Sequence, residues 1–279
     1  MKRNILFSIL VIFLLIAVST TAFKIGEINS VAPNLHKIDL YGTIDGYKVH
    51  IKGTVTIEVE WEPVMTTVVI PSDADDGYLY KGDTIYNSCH DALTSNYFNN
   101  VADLIELWYG YMPYYDYYYI ERAVSFFDTS SIPISAVIDS AKITYILQQK
   151  FIFSSDFDIV IQNGQPTHPS KPIIASDYNY LYYSGNGGSI NTSALPAVNN
   201  PFYINLNAMG LNWINKGGTT KFMIRSSFDI DRIATDPEYS EDGVTFYSFE
   251  KGTIYIPTLT VTYHLPTITW PNGKLLAKR

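Results

Sequence analysis

The sequence predicts an all-β sandwich. Short apolar runs recur along most of the chain, clusters of Gly, Pro, Asn and Asp separate them, and helical periodicity is scarce. With 47% hydrophobic and 15% aromatic residues, the 279-residue chain is too apolar for disorder. It is also long enough to bury a core without disulfides. Only 16% of residues are charged, as in strands that fill their polar positions with Thr, Ser, Asn and Tyr.

Residues 1–22 read as a signal peptide. Lys2 and Arg3 precede an apolar run, Ile5 to Val18, and the small residues Ser19 to Ala22 suit signal peptidase. The run is shorter than the ~20 apolar residues of a membrane span, and an uncleaved anchor is the alternative. Either way the body of the chain is expected to be secreted or held at the cell surface. No stretch beyond residues 4–22 is apolar enough to span a membrane.

Residues 23–65 are expected to be an N-terminal arm, with 23–47 as a linker containing Pro33, Gly42 and Gly46. A long extra strand follows at 48–61. Val49, Ile51, Val55, Ile57, Val59 and Trp61 share one parity, and Lys48, His50, Lys52, Thr54, Thr56, Glu58 and Glu60 share the other. Gly53 falls on the apolar parity, where a bulge or close contact is expected. The sandwich domain is assigned to 66–264 and a polar, proline-interrupted tail to 265–279. Within the domain, Thr66 to Ile70 is a strand closed by Pro71, and Ser72 to Gly77 is a turn. Residues 81–100 read as irregular, Val101 to Tyr111 as a strand, and Tyr114 to Phe127 as strongly β-prone. Asp128 to Ser131 favours a turn, and Pro133 fixes the break before a strand from Lys142 to Leu147. Further strands are read at 157–161, 202–206, 219–226, 244–249 and 257–263, with a short helix at 208–214 and an acidic loop at 229–243.

Three phrases carry a family resemblance over roughly residues 66–263. They are Val69-Ile70-Pro71-Ser72-Asp73-Ala74-Asp75-Asp76-Gly77-Tyr78, the stretch from Arg122 through Phe126-Phe127-Asp128-Thr129-Ser130-Ser131-Ile132-Pro133 to Ile143, and Phe222-Met223-Ile224-Arg225 with Leu259-Thr260-Val261-Thr262-Tyr263. Together they resemble the secreted disaggregatase-related, or DNRLRE-type, domains, some of which are carbohydrate-binding modules. The resemblance implies a jelly-roll form of the sandwich and a role in binding carbohydrate. The long strand at 48–61 and the proline-broken tyrosine tract depart from that pattern.

Composition narrows the function further. Residues 1–22 hold two of the 19 basic residues and no acidic one, so the rest carries 17 basic and 27 acidic groups, a net of −10. Nucleic acid is therefore not an expected partner. Cys89 is the only cysteine, so no internal disulfide exists, and a buried small side chain is expected there. His36, His50, His90, His168 and His264 show no metal-site spacing, and no GxSxG, HExxH or phosphate-binding loop occurs. No catalytic residue is assigned.

Trp108, Tyr109, Tyr111, Tyr114, Tyr115, Tyr117, Tyr118 and Tyr119 form an aromatic tract. Flat rings with polar edges suit stacking on sugar faces, and Trp108, Tyr114 and Tyr115 are the first candidates for ligand binding. Arg122 and Arg225 either read a glycan carboxylate or form ion pairs with Asp128, Asp229 or Glu121. Asp73, Asp75 and Asp76 beside Gly77 are candidate ligands for a structural Ca²⁺, although turn chemistry accounts for them equally well. The expected function is non-catalytic binding of a polysaccharide or cell-surface glycan. The alternative is a structural subunit of a layer, filament or virion that self-assembles by strand addition through 48–61. A polysaccharide lyase is the lesser alternative.

Overall fold

A computed structural model describes residues 23–32, 35–44, 47–56, 64–234 and 240–266. Contacts divide the chain into two units, Met1–Pro63 with Thr267–Arg279, and Val64–Pro266.

In the first unit, β1 (Phe23–Ala32), β2 (Leu35–Ile44) and β3 (Tyr47–Thr56) form an antiparallel three-stranded sheet in the order β1-β2-β3. Residues 23–47 are therefore not a linker. Register shifts in β1 between Ile25 and Glu27 and between Ser30 and Ala32 break the period-2 pattern that would have revealed it. The strand expected at 48–61 is present as β3, paired with β2 along its whole length and passing Gly53 without a bulge. Ile57, Val59 and Trp61 lie outside the described residues, as do the signal segment and most of the C-terminal tail.

The second unit is mostly β, with a curled antiparallel sheet. Its strands are β4 (Met65–Pro71), β5 (Gly77–Asp83), β6 (Tyr97–Asn99), β7 (Leu104–Met112), β8 (Tyr117–Asp128), β9 (Val137–Ile152), β10 (Asp158–Gln162), β11 (Ser189–Asn191), β12 (Pro201–Asn205), β13 (Thr219–Ser226), β14 (Ser240–Tyr247) and β15 (Thr258–His264). Short helices α1 (Tyr86–His90), α2 (Ala208–Asn212) and α3 (Ser227–Ile230) fill connections. The backbone order is β11-β10-β13-β8-β7-β14-β9-β15-β4, with β12 on β9, and β5 joining β6 to β8. Thus 81–100 is less irregular than its polarity suggests. The strand after Pro133 begins at Val137, five residues before Lys142, and runs for 16 residues. That length lets β9 pair with β15 through its first half and with β14 through its second.

A large apolar core lies inside the curl. Phe127, Ile143, Tyr145, Leu147, Phe202, Phe222, Ile224, Phe246, Leu259 and Val261 belong to it, all buried. A second cluster covers the other side of β8 and contains Leu79, Cys89, Ile120, Val124, Phe126, Tyr178 and Met223. Alternation along β8 explains both, because Ala123 and Phe127 enter the first cluster while Ile120, Val124 and Phe126 enter the second. Cys89 is free and buried, as expected, and burial pushes its thiol up to about 12.

A buried ion cluster pins the second layer. Asp229 Oδ2 accepts from Arg122 Nε at 2.8 Å and from Arg225 Nε at 2.6 Å, and Asp229 Oδ1 accepts from Arg122 Nη2 at 2.7 Å. Arg122 also donates to the Tyr178 and His90 carbonyls, and its guanidinium lies 4.0 Å from the centre of the Tyr178 ring. Arg225 Nη1 donates to Gln162 Oε1 at 3.0 Å. Burial alone would raise the Asp229 pKa, but the two guanidiniums overcome it and hold the carboxyl well below its ordinary range. This stabilisation is complete above the unfolded-state value near 3.8 and is lost as pH falls further.

Replacing Asp229 with Asn leaves two buried guanidiniums without their counter-charge. The expected cost at neutral pH is about 3–5 kcal/mol, read as a fall in the urea midpoint. The exposed neighbour Asp231 serves as control, since Asp231→Asn should change stability by no more than about 0.5 kcal/mol. Equal midpoints for the two variants would refute the assignment.

Candidate functional site

The face of β8 opposite the ion cluster carries Tyr117, Tyr119 and Glu121. Strand register extends this face across five neighbours. Tyr97 of β6 pairs with Tyr80 of β5, and Tyr80 pairs with Glu121. Gly82, Tyr119, Gly110 and Glu241 make a second row through β5, β8, β7 and β14. Trp108, Gly243 and Phe151 make a third through β7, β14 and β9. Ladder partners share a face, and so do alternate residues. Six strands therefore present Tyr97, Asn99, Tyr78, Tyr80, Tyr117, Tyr119, Glu121, Trp108, Glu106, Glu241, Thr245, Phe151 and Gln149 on one side.

Glycine shapes this surface at two positions. A Cβ on Gly243 would lie 2.2 Å from Trp108 Cδ2, and one on Gly82 would lie 2.1 Å from Tyr117 Cε1. Both rings thus lie across a neighbouring strand rather than standing on end. Trp108 stacks on Phe151 with centroids 6.2 Å apart and planes at 24°, and its indole N–H donates to Thr245 Oγ1 at 3.1 Å. Tyr80 stacks on Tyr119 at 6.2 Å, and Tyr78 meets Tyr97 edge-on at 6.4 Å. Trp108, Tyr78, Tyr80 and Tyr117 are half-buried, while Tyr97 and Phe151 are exposed.

Glu106 and Glu121 meet among these rings. Burial, the Glu106 charge and a hydrogen bond to Glu106 raise the Glu121 pKa well above the ordinary value. Burial also raises Glu106, against the hydrogen bond it receives from Glu121. Of the two, Glu121 is raised further, because it is the more buried and faces the Glu106 charge. Glu121 is 8% exposed, and among the described residues its Oε2 has no hydrogen-bond donor. Tyr78 is pushed up to about 12 by burial and by these two carboxyls.

The residues singled out from sequence divide three ways. Trp108 lies on this face. Tyr114 and Tyr115 do not. They form the exposed tip of the β7–β8 hairpin, 89% and 68% exposed, packed edge-on at 4.9 Å. Arg122 is fully buried and turned to the opposite side of β8, where Asp229 and backbone carbonyls occupy it, so it has no surface to offer a ligand. The Glu pair and Tyr80 were missed, although the parity of Trp108 and Tyr119 implicates Glu106 and Glu121.

Asp73, Asp75 and Asp76 do not converge on a common point. Asp73 Oδ2 pairs with Lys171 Nζ at 2.5 Å, and its Oδ1 accepts from the Asp75 amide. Among the described residues no three His, Cys, Asp or Glu side chains come together to hold a metal. Asp73 lines a cavity of about 500 Å³ with Ser72, Asp128, Ser130 and Phe249. Asp76 is fully buried beside it. Burial pushes its carboxyl up to about 8, with the charges of Glu250 and Asp73 adding to the rise, against Ser72 and the Phe249 amide.

No family model and no curated protein matches the chain.

The Asp76 carboxyl is neutral in the fold at pH 6 and ionised in the unfolded chain. Its folded pKa exceeds the unfolded 3.8, so its contribution is complete below that value and is lost as pH rises through about 8. Stability should fall with pH over this window, at a slope approaching 1.4 kcal/mol per unit, to order of magnitude. Asp76→Asn should flatten that slope in thermal melts between pH 4.5 and 8, whereas an unchanged slope would show that Asp76 titrates normally.

Proposed function

We propose that this protein is an exported, non-catalytic jelly-roll sandwich that binds polysaccharide through the aromatic face of β6, β5, β8, β7, β14 and β9. One observation carries the reading. Aromatic rings from five of these strands share one side of the sheet with carboxyl and amide groups, and glycines let two of the rings lie across their neighbours. Sugar rings stack on such faces through their C–H surfaces while their hydroxyls bond the polar groups between. The hairpin tip with Tyr114 and Tyr115 adjoins this face through Met112 and Tyr117 and extends the contact. The resemblance to disaggregatase-related domains agrees with this reading.

The carboxyl pair does not favour hydrolysis. Glu106 and Glu121 act directly on each other's protonation, whereas the carboxyls of glycosidases flank the sugar about 5 Å or more apart.

A structural subunit is the second reading. It draws on the position of β3 at the end of the three-stranded sheet, where one edge has no ladder partner among the described residues. Light scattering separates the two readings, since filaments or large oligomers favour assembly and a monomer favours glycan binding.

The direct test is a glycan array with purified full-length chain, followed by titration of any hit. Trp108→Ala and Tyr80→Ala should each weaken binding tenfold or more, about 1.4 kcal/mol, while the thermal transition stays cooperative. Absence of binding to every glycan would refute the reading, as would hits indifferent to both substitutions.

A further inference from the structure

The glycan reading leaves open what kind of sugar this face accepts. We propose that Glu106 and Glu121, framed by Tyr78, Tyr80, Tyr119 and Trp108, form a subsite for the ammonium group of an amino sugar, so that the preferred glycan is a de-N-acetylated hexosamine polymer. The proposal rests on the glycan reading and names its substrate class.

Charge complementarity is the first argument. The face positions of the six strands are 97 and 99, 78, 80 and 82, 117, 119 and 121, 106, 108, 110 and 112, 241, 243 and 245, and 149 and 151. None holds Lys, Arg or His, while three hold Glu. A uronate or sulfated chain would meet carboxyl groups with no cation to offset them. A neutral chain can donate hydroxyls to the carboxyls but leaves their charge unbalanced. An ammonium-bearing chain supplies the charge that the face lacks.

The second argument is an unsatisfied acceptor. Glu121 Oε2 is buried without a donor among the described residues, although buried polar atoms nearly always find one. An ammonium has three N–H donors and no acceptor. Its donors match the two carboxyls in charge and kind, and the ring faces of Tyr80 and Trp108 would add cation–π attraction. A bare Ca²⁺ fits less well, since it takes six to eight oxygen ligands and among the described residues no third carboxyl closes with the pair into a metal-holding group.

Proton balance follows. The incoming ammonium replaces the Glu121 proton, Glu121 becomes a carboxylate, and one proton passes to solvent for each group bound. Binding should therefore tighten as pH rises, until the amine itself deprotonates. The ionisable groups facing the pair are Tyr78 and Tyr80 from β5, Tyr119 from β8 and Glu241 from β14. The phenols stay neutral throughout this range, because burial and nearby carboxylates raise all three.

The test is calorimetric titration of the full-length chain with three probes: a chitosan oligomer, its fully N-acetylated counterpart, and an oligogalacturonate. Each is run with EDTA at pH 4.5 and 5.5, where the amine stays protonated, in two buffers of different ionisation enthalpy. The chitosan oligomer should bind at least tenfold tighter than either other probe, tighten from pH 4.5 to 5.5, and release a proton. Glu121→Gln mimics the protonated acid and should fold normally. It and Glu106→Gln should each abolish the preference and the proton release, whereas Trp108→Ala weakens all binding. If the acetylated or uronate probe binds as well as chitosan, or both Gln variants keep the preference, the amino-sugar assignment is overturned and the glycan reading stands. If none of the probes binds, the assignment is overturned. If no glycan on the array binds either, the glycan reading falls with it.

Discussion

Everything in the larger unit depends on how β8 disposes of its two sides. Arg122 lies in the middle of this strand and is completely buried, a position that only a fully formed counter-ion network makes tolerable. Asp229 supplies it from 107 residues away and binds Arg225 of the adjoining β13 with the same carboxylate. The carbonyls of His90 and Tyr178 complete the shell around Arg122. α1 and the segment around Tyr178 are thus held against one side of the sheet. Once that side is covered, the odd-numbered residues in the first half of β8 have only the other side to occupy. The aromatic face follows from the arginine.

Much of this was legible in the sequence, and the limits have physical causes. The turn after Asp128 depended on local chemistry, and there Ser130 N donates to Asp128 Oδ1 at 3.0 Å. β9 began earlier than expected because its first residues gain their partners from β15, far along the chain. Trp108 was chosen by residue type and lies on the candidate face. Tyr114 and Tyr115 were chosen on the same ground, yet Pro113 and the left-handed Asp116 between them and β8 make a hairpin turn. Alternation separates Tyr117, Tyr119 and Glu121 from Tyr118, Ile120 and Arg122 without any structure. It cannot say which set is covered, since that is decided by α1, the Tyr178 segment and Asp229.

The acidic loop read at 229–243 shows the same limit. By composition Asp229 belongs with Asp231 and Asp236, and it is also one of three acidic residues the sequence offers as ion-pair partners for Arg122 and Arg225, the one that the fold selects. In the fold Ser226 caps α3 through the Asp229 amide at 3.1 Å, and the turn drives the Asp229 side chain inward to the two arginines. Nothing in a charge count distinguishes this aspartate from Asp231, which stays exposed two residues later.

Glu121 and Arg122 are adjacent in sequence and opposite in circumstance. The guanidinium has a carboxylate and carbonyls around it, whereas the carboxyl has only another carboxyl. The nearest cation cannot help, because the sheet turns consecutive side chains to opposite faces and Asp229 already holds Arg122 on its own side. Burial and the Glu106 charge therefore raise the Glu121 carboxyl, with no cation on the same face among the described residues to oppose them. In the amino-sugar proposal an ammonium supplies the cation that alternation denies the pair, which ties the sheet's alternation, the isolation of Arg122 and the chemistry of the aromatic face into one constraint.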